Sequence, residues 1–385
     1  MSPARSATKA KLPRRIVMAG GKVPRPDARG ADSGPRHVTD WSHSPMTVAR
    51  PRDIPRMRLI TPVLLLLLAG AAPPMGSAPR PPLVIAHRGA SGELPEHTLA
   101  AYERAIDQGA DCIEPDLVMT RDGVLVARHD IYLSTTTDVA EHPEFAARRR
   151  PFPTPRAPDR TEWFVADFTL EELATLRARQ PFPGRSTADD GRFAIPTFDA
   201  VLALARRRSA GRATPVCIYP EAKAPAFHAA RGLDLGTAIL AALERHGVDR
   251  PGAPLFIQSF DPAFLHAMRS RTALPLILLV EDQAALAAAR ALPGAPFWEG
   301  LGVPHAMLFD ANGASSGLVE SAHEAGQLVH VWTYRDDAPF TEGESTEQAL
   351  RQALALGVDG IFTDFPASAV RVIPREVVPA LRGRG

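Results

Sequence analysis

From Leu83 onward, short apolar runs alternate with stretches of helical periodicity. Leu83–Ala86 reads as a strand. Pro95 and Thr98 set a turn and a helix cap, Ala101–Gln108 reads as helix, and Gly109 stops it. Cys112–Val118 is a second strand. Arg121-Asp122-Gly123 signals a turn, and Val124–Arg128 returns as a short strand. Strand, helix and strand make a βαβ unit, which favours a parallel sheet.

The rhythm breaks over residues 131–195, which contain Glu141-His142-Pro143, the run Arg148–Arg150 and a proline-rich stretch from Pro151 to Pro158. Only Leu170–Arg177 looks helical there, with Thr169 as its cap. This segment is an insertion, and the arginine run reads most simply as a solvated face. Alternation then resumes. Strands are expected at Pro215–Tyr219, Leu255–Gln258, Leu274–Val280, within Pro304–Phe309, at Leu328–Thr333 and at Ile361–Thr363. Helices are expected at Phe198–Arg207, Gly232–His246, Pro262–Arg269, Gln283–Arg290, Gly317–Ala325, Thr346–Leu356 and Ala367–Ile373. With the Val124 hairpin set aside there are eight strand–helix units. That pattern predicts an α/β TIM (β/α)8 barrel with an insertion after the second barrel strand. A doubly wound sheet is the alternative, but Gly89-Ala90-Ser91-Gly92 is not the glycine-rich loop such a sheet places after its first strand.

Polar residues gather where the apolar runs end. The first strand delivers His87 and Arg88, the second Glu114 and Asp116, and the returning strand His129 and Asp130. Glu221 and Lys223, Gln258 and Ser259, Trp332-Thr333-Tyr334, and Asp364 close later strands. In a barrel these ends converge. Residues two apart on a strand share a face, so Glu114 and Asp116 point together and repel unless a cation or proton intervenes. Glu114, Asp116 and Glu221 offer hard oxygen ligands without clustered cysteine or histidine, which suits Ca²⁺ or Mg²⁺ over zinc. Arg88 and Lys223 can clamp phosphate oxygens. His87 and His129 can move protons near neutral pH. Each residue also has a plainer reading: a solvated carboxylate edge, a core histidine, a surface ion pair, and, for Phe260 and Trp332, ordinary core instead of an apolar wall.

The chain of 385 residues is 45% hydrophobic and 23% charged, as a globular protein should be. Its net charge of +1 gives no electrostatic case for nucleic acid. Two cysteines, Cys112 and Cys217, make no disulfide framework, and both are expected as buried free thiols. Residues 1–56 are rich in Pro, Arg and Ser, and read as disordered or untranslated. Met57-Arg58, the leucine run and the small residues up to Ala78 have the shape of a signal peptide, too short for an ordinary spanning helix. Met57 or Met46 is then the expected start, with cleavage near Ala72 and a periplasmic or secreted product; an internal anchor is the alternative. Residues 377–385 read as a flexible tail, leaving 79–376 as the folded domain.

The segments HRGASGELPEHTLAAYERAIDQGAD, IEPDLVMTRDGVLVARHD, IYPEAKAP, QSFDP and GIFTDFPASAV resemble the glycerophosphodiester phosphodiesterases, notably the secreted bacterial type. The resemblance covers roughly Leu83 to Ile373. The resemblance implies the barrel, and it implies Glu114, Asp116 and Glu221 as ligands of one divalent cation, Ca²⁺ ahead of Mg²⁺. It marks His87 and His129 as the acid–base pair, with the glycerol 2-hydroxyl attacking first to give a cyclic phosphate. Sequence neighbours do not settle the two roles; the working assignment is His87 as acid and His129 as base. Arg88, Lys223, Gln258, Phe260 and Trp332 are expected to contact a small glycerophosphodiester, and the resemblance adds Glu93 near the metal or the substrate hydroxyls. Trp332 stands where secreted relatives often carry Tyr. A phospholipase D-like activity on intact lipids and a non-catalytic binding protein on the same barrel are the competing functions. No stable membrane insertion is expected once the leader is removed.

Overall fold

The computed structural model describes residues 81–152, 160–341 and 343–373. The expectations for 1–56, 57–78 and 377–385 lie outside the described residues.

Eight parallel strands close into a barrel. They are β1 (Leu83–His87), β2 (Cys112–Glu114 with Asp116–Met119), β3 (Cys217–Ile218 with Glu221–Ala222), β4 (Ile257–Ser259), β5 (Leu276–Leu279), β6 (Gly300–Pro304), β7 (Leu328–Tyr334) and β8 (Gly360–Thr363). β8 pairs with β1 to close the ring. Pro115 interrupts β2 and Pro220 interrupts β3, because proline gives the ladder no donor. The register survives both breaks: Cys112 lies opposite Cys217 below the prolines, and Asp116 opposite Glu221 above them.

The helices alternate as expected: α1 (Leu99–Asp107), α2 (Phe198–Ser209), α3 (Leu235–Arg245), α4 (Pro262–Arg269), α5 (Gln283–Arg290), α6 (Leu318–Glu324), α7 (Thr346–Ala355) and α8 (Pro366–Val372). Thr98 caps α1 through a bond from the Ala101 amide at 3.1 Å. The apolar face of α1 buries Tyr102, Ala105 and Ile106 against outward-facing barrel residues such as Val84, Ile113 and Leu117. Alternate strand residues point inward. Ile85, Cys112, Cys217, Tyr219, Ile277 and Phe362 fill the barrel floor.

Three expectations need correction. Cys112 and Cys217 form a disulfide, with Cα atoms 4.2 Å apart. They are 105 residues apart in sequence, and only the β2–β3 register makes them neighbours. The sixth strand is Gly300–Pro304, whereas His305–Leu308 is a 3-10 turn. Two glycines had weakened the apolar pattern there, yet a Cβ on Gly302 would come within 2.3 Å of Leu279. The helix expected from Gly232 to His246 is α3, and a short turn of helix at Pro225–Ala229 precedes it without a signal in the pattern. Finally, the arginine run is not a plain solvated face. Arg148 forks onto Glu172 at 2.5 and 2.7 Å, Arg149 lies 4.7 Å over the Trp163 ring, and Arg150 pairs with Asp167.

Those contacts tie the insertion to itself. Among the described residues, 131–195 hold one short α-helix, Leu170–Leu173, closed by a Thr169–Glu172 capping box. Phe145, Trp163, Val165, Phe168 and Leu176 make a separate apolar core that joins the barrel through Val118 and Val126. Leu125–Ala127 pairs antiparallel with the upper half of β2 and leads into this segment.

Candidate active site

The upper ends of the strands carry a buried charged ring directly above the apolar floor. At the end of β1 the chain turns sharply through Arg88, at φ 61°, and Gly89, at φ 84°. A Cβ at Gly89 would lie 2.6 Å from the Ala101 backbone, so only glycine fits. The turn lets the Arg88 amide donate to Glu114 Oε2 at 2.9 Å. The Arg88 side chain reaches Glu96 at 2.9 Å and lies 3.4 Å from Asp116.

Glu114, Asp116 and Glu221 each place one carboxylate oxygen within 4.8 Å of the others, and all three are buried. Gln258 donates to Glu114 at 3.1 Å. Lys223 pairs with Glu221 at 2.8 Å and lies 3.9 Å from Asp116. Burial, with the charges of Asp116 and Glu221 adding, pushes the Glu114 carboxyl far above its ordinary range. Burial also raises Glu221 to about 8, against Lys223 and with Asp116 adding. Asp116 goes the other way: burial is outweighed by Lys223 and by the hydrogen bond from His97. Asp116 Oδ1 is buried without a hydrogen-bond partner. A hard cation would relieve this repulsion and satisfy that oxygen, and an all-oxygen donor set fits Ca²⁺ or Mg²⁺.

The histidines flank this triad differently. His87 donates from Nδ1 to Asp364 Oδ1 at 2.6 Å, and Arg88 Nε donates to His87 Nε2 at 3.2 Å. Burial and then the Arg88 charge lower His87 to about 4, despite Asp364. His129 is the more open of the two, with 35% of its side chain exposed against 12% for His87. Its Nδ1 donates to Asp130 at 2.9 Å. Burial, Arg88 and Lys223 lower its pKa, and Asp130 opposes them. Beside Lys223 lies an aromatic corner. Phe260, 40% exposed, packs edge-on against Trp332 with ring centroids 5.9 Å apart, and Lys223 Nζ is 5.9 Å from the Phe260 ring.

Glu93 does not join the ring. It accepts from Gln108 at 2.6 Å and faces Arg104, both on the α1 side of the turn. Three residues near the centre had escaped notice: Glu96, His97 and Arg185. His97 donates to Asp116 Oδ2 at 2.9 Å and takes the Tyr102 hydroxyl proton on Nδ1 at 2.7 Å. Glu96 and His97 are part of PEHTL, whose threonine signals a helix cap; at cap-proximal positions nothing local says which way a side chain turns. Arg185 arrives from the insertion and gives no sequence signal at all.

A profile of the glycerophosphoryl diester phosphodiesterase family matches residues 87–368. A glycerophosphodiester phosphodiesterase of Arabidopsis thaliana is 36% identical over 319 residues, covering 74% of this chain and 84% of that protein. The enzyme of that name from Haemophilus influenzae is 31% identical over 339 residues, covering 76% and 89%. Among solved structures, a glycerophosphoryl diester phosphodiesterase from Silicibacter pomeroyi superposes with TM-score 0.58 at 24% identity, over 77% of this chain and 94% of its own. A phosphodiesterase from Oleispira antarctica, solved with the product sn-glycerol-3-phosphate, gives TM-score 0.55 at 21% identity over 76% and 96%. These structures share the fold, and the family span runs from His87 past Asp364. The chain therefore belongs to the glycerophosphoryl diester phosphodiesterase family and is a phosphoric diester hydrolase of that class.

Proposed function

We propose that this enzyme hydrolyses small glycerophosphodiesters, deacylated phospholipids such as glycerophosphocholine, to sn-glycerol 3-phosphate and an alcohol. The observation that carries the reading is the buried triad Glu114, Asp116 and Glu221, set among Arg88, Lys223 and two histidines. The triad holds one divalent cation, Ca²⁺ ahead of Mg²⁺; when bound, it draws charge from the nonbridging phosphate oxygens. Arg88 offers a planar fork and Lys223 a point charge to the same oxygens. Gln258 orients Glu114, and Phe260 with Trp332 forms an apolar wall for the glycerol carbons.

The proton work falls to His87 and His129. The hydrogen bonds of His87 support a neutral starting state, its proton on Nδ1 and its lone pair on Nε2. His87 is then the base that takes the proton of the attacking hydroxyl, and His129 is the acid that protonates the departing alkoxide. The negative charge of a bound diester and Asp130 both favour the proton on His129. This is the opposite of the working assignment, which sequence neighbours did not settle.

The insertion reaches the barrel mouth, where Gln180 donates to the Ser91 carbonyl at 3.1 Å. That position supports a restriction to deacylated diesters over intact lipids. The secreted or periplasmic assignment rests on the leader-like segment. The Cys112–Cys217 disulfide supports an oxidising compartment. No helix among the described residues is long and apolar enough to cross a membrane.

The test is release of glycerol 3-phosphate from glycerophosphocholine. Chelation should abolish it and added Ca²⁺ should restore it. Full turnover in chelator would overturn the metal reading, and binding without turnover would favour a binding protein.

A further inference from the structure

Among the described residues of the insertion, Arg185 reaches the charged groups at the barrel mouth. Arg185 is buried, with 2% of its side chain exposed, and its guanidinium divides between three acceptors. Nη2 donates to Asp364 Oδ2 at 2.6 Å, Nε to Asp337 Oδ2 at 2.7 Å, and Nη1 to the Ser91 carbonyl at 3.1 Å. Asp364 sits just past β8, and its other oxygen receives the His87 Nδ1 proton. Arg335, just past β7, completes the set with Nε 2.8 Å from Asp364 Oδ2. Phe182 lies beneath both arginines, its ring 4.1 Å from the Arg185 guanidinium carbon and 5.5 Å from that of Arg335.

We propose that Arg185 is a positioning residue: acting through Asp364, it fixes the ring orientation and tautomer of His87. The inference rests on the reading of His87 as a proton-transfer group. A carboxylate can meet an imidazole through either oxygen and in several rotamers. Asp364 has no such freedom, because two guanidinium groups hold Oδ2 and leave Oδ1 for His87 alone. Holding Nδ1–H in that bond keeps the Nε2 lone pair turned toward the phosphate side, where Arg88 now donates to it. Arg335 belongs to the barrel; Arg185 does not. The insertion is thus a working part of the proton-transfer apparatus as well as a cover, and an undocked insertion leaves His87 less well aimed.

The full chain with Ca²⁺ tests this. Arg185→Met should lower kcat on glycerophosphocholine roughly 10–100-fold, the usual effect of losing an outer-sphere partner. KM should stay within about twofold, since no ground-state contact to substrate is lost. Arg185→Lys should recover part of kcat, and guanidinium ion in solution should partly rescue the Met variant. Asp364→Asn should cost more, and the double variant should be no slower than Asp364→Asn alone, because the two residues act in series. Asp337→Asn removes only the outer pair and should leave kcat close to normal. Labelling histidine with ¹⁵N gives a readout independent of turnover: the His87 signals, assigned by their loss in His87→Gln, should move toward a tautomer mixture in Arg185→Met. Additive losses in the double variant, unmoved His87 signals, or an effect confined to KM would each overturn the proposal. Signals that move while kcat holds would leave the positioning intact and sink the proton-transfer reading of His87. If Arg185→Met does not fold, the Lys variant and the Asp337→Asn comparison carry the same test.

Discussion

The barrel interior has two storeys, built on the same strands and chemically opposed. The lower storey is mainly apolar, with the Cys112–Cys217 disulfide among Ile85, Tyr219, Ile277 and Phe362. Four residues further along β2 and β3, the upper storey packs Asp116 against Glu221, with Glu114 beside them. The lower pair stabilises: it cross-links the chain and buries apolar surface. The upper pair does the reverse, since buried like charges oppose folding until a cation joins them. Stability is concentrated in one storey and chemistry in the other.

Substitutions should separate the two. The largest effect belongs to the upper storey. Glu114→Ala should abolish cation binding by calorimetry and bring turnover down to the chelated background; tight binding in that variant would remove Glu114 from the ligand set. Next come the histidines, where His87→Ala or His129→Ala should lower turnover roughly 10²–10⁴-fold. A nitrophenyl diester, whose leaving oxygen needs no proton, should rescue His129→Ala far more than His87→Ala. Rescue of His87→Ala instead would restore the opposite assignment.

The lower storey should answer in stability. Replacing both Cys112 and Cys217 by Ala should cost about 2–5 kcal/mol in denaturant melts. Turnover of the fraction that remains folded should be nearly unchanged. A large loss of kcat in a fully folded variant would show that the storeys are not separable. The smallest effect is one of pH. In the cation-free protein Glu221 is raised from 4.5 to about 8, so folding favours its protonated form. Its contribution is fully present below pH 4.5 and fades as pH climbs through about 8. Melting of chelated protein should therefore fall over that window, and Ca²⁺ should flatten the slope. An equal slope with Ca²⁺ would mean that the cation does not sit against Glu221.

The upper storey was readable in the sequence because each of its residues follows an apolar run. The turns HRG, EPD and YPEAK announce both a strand end and a charged group. Parity then did the rest, since residues two apart share a face. The disulfide was not readable by the same logic. Cys112 and Cys217 each look like a small apolar residue in a strand, and their partnership exists only in the inter-strand register. Glu93 was misplaced for a local reason: the turn after Gly89 carries it toward Gln108 and brings Glu96 back to Arg88. Arg185 was invisible because it depends on where a long irregular segment docks. The insertion has little helix and no repeating pattern, so its fold rests on pairings such as Arg148 with Glu172 that no periodicity encodes.

The matched breaks at Pro115 and Pro220 bear on which length changes this chain can tolerate. Between Cys112 and Asp116, and between Cys217 and Glu221, the two strands run the same number of residues through their prolines. Adding or removing residues in the long connection between them alters neither spacer, so the register leaves its length free wherever His129 and Arg185 keep their places. One residue lost from a single spacer is different. It would force a choice between aligned sulfurs and aligned carboxylates, because each strand can hold only one register. Only a matched deletion in both spacers would keep both, and two such events must arrive together. The long loop can therefore drift in length while the two short spacers stay locked to each other.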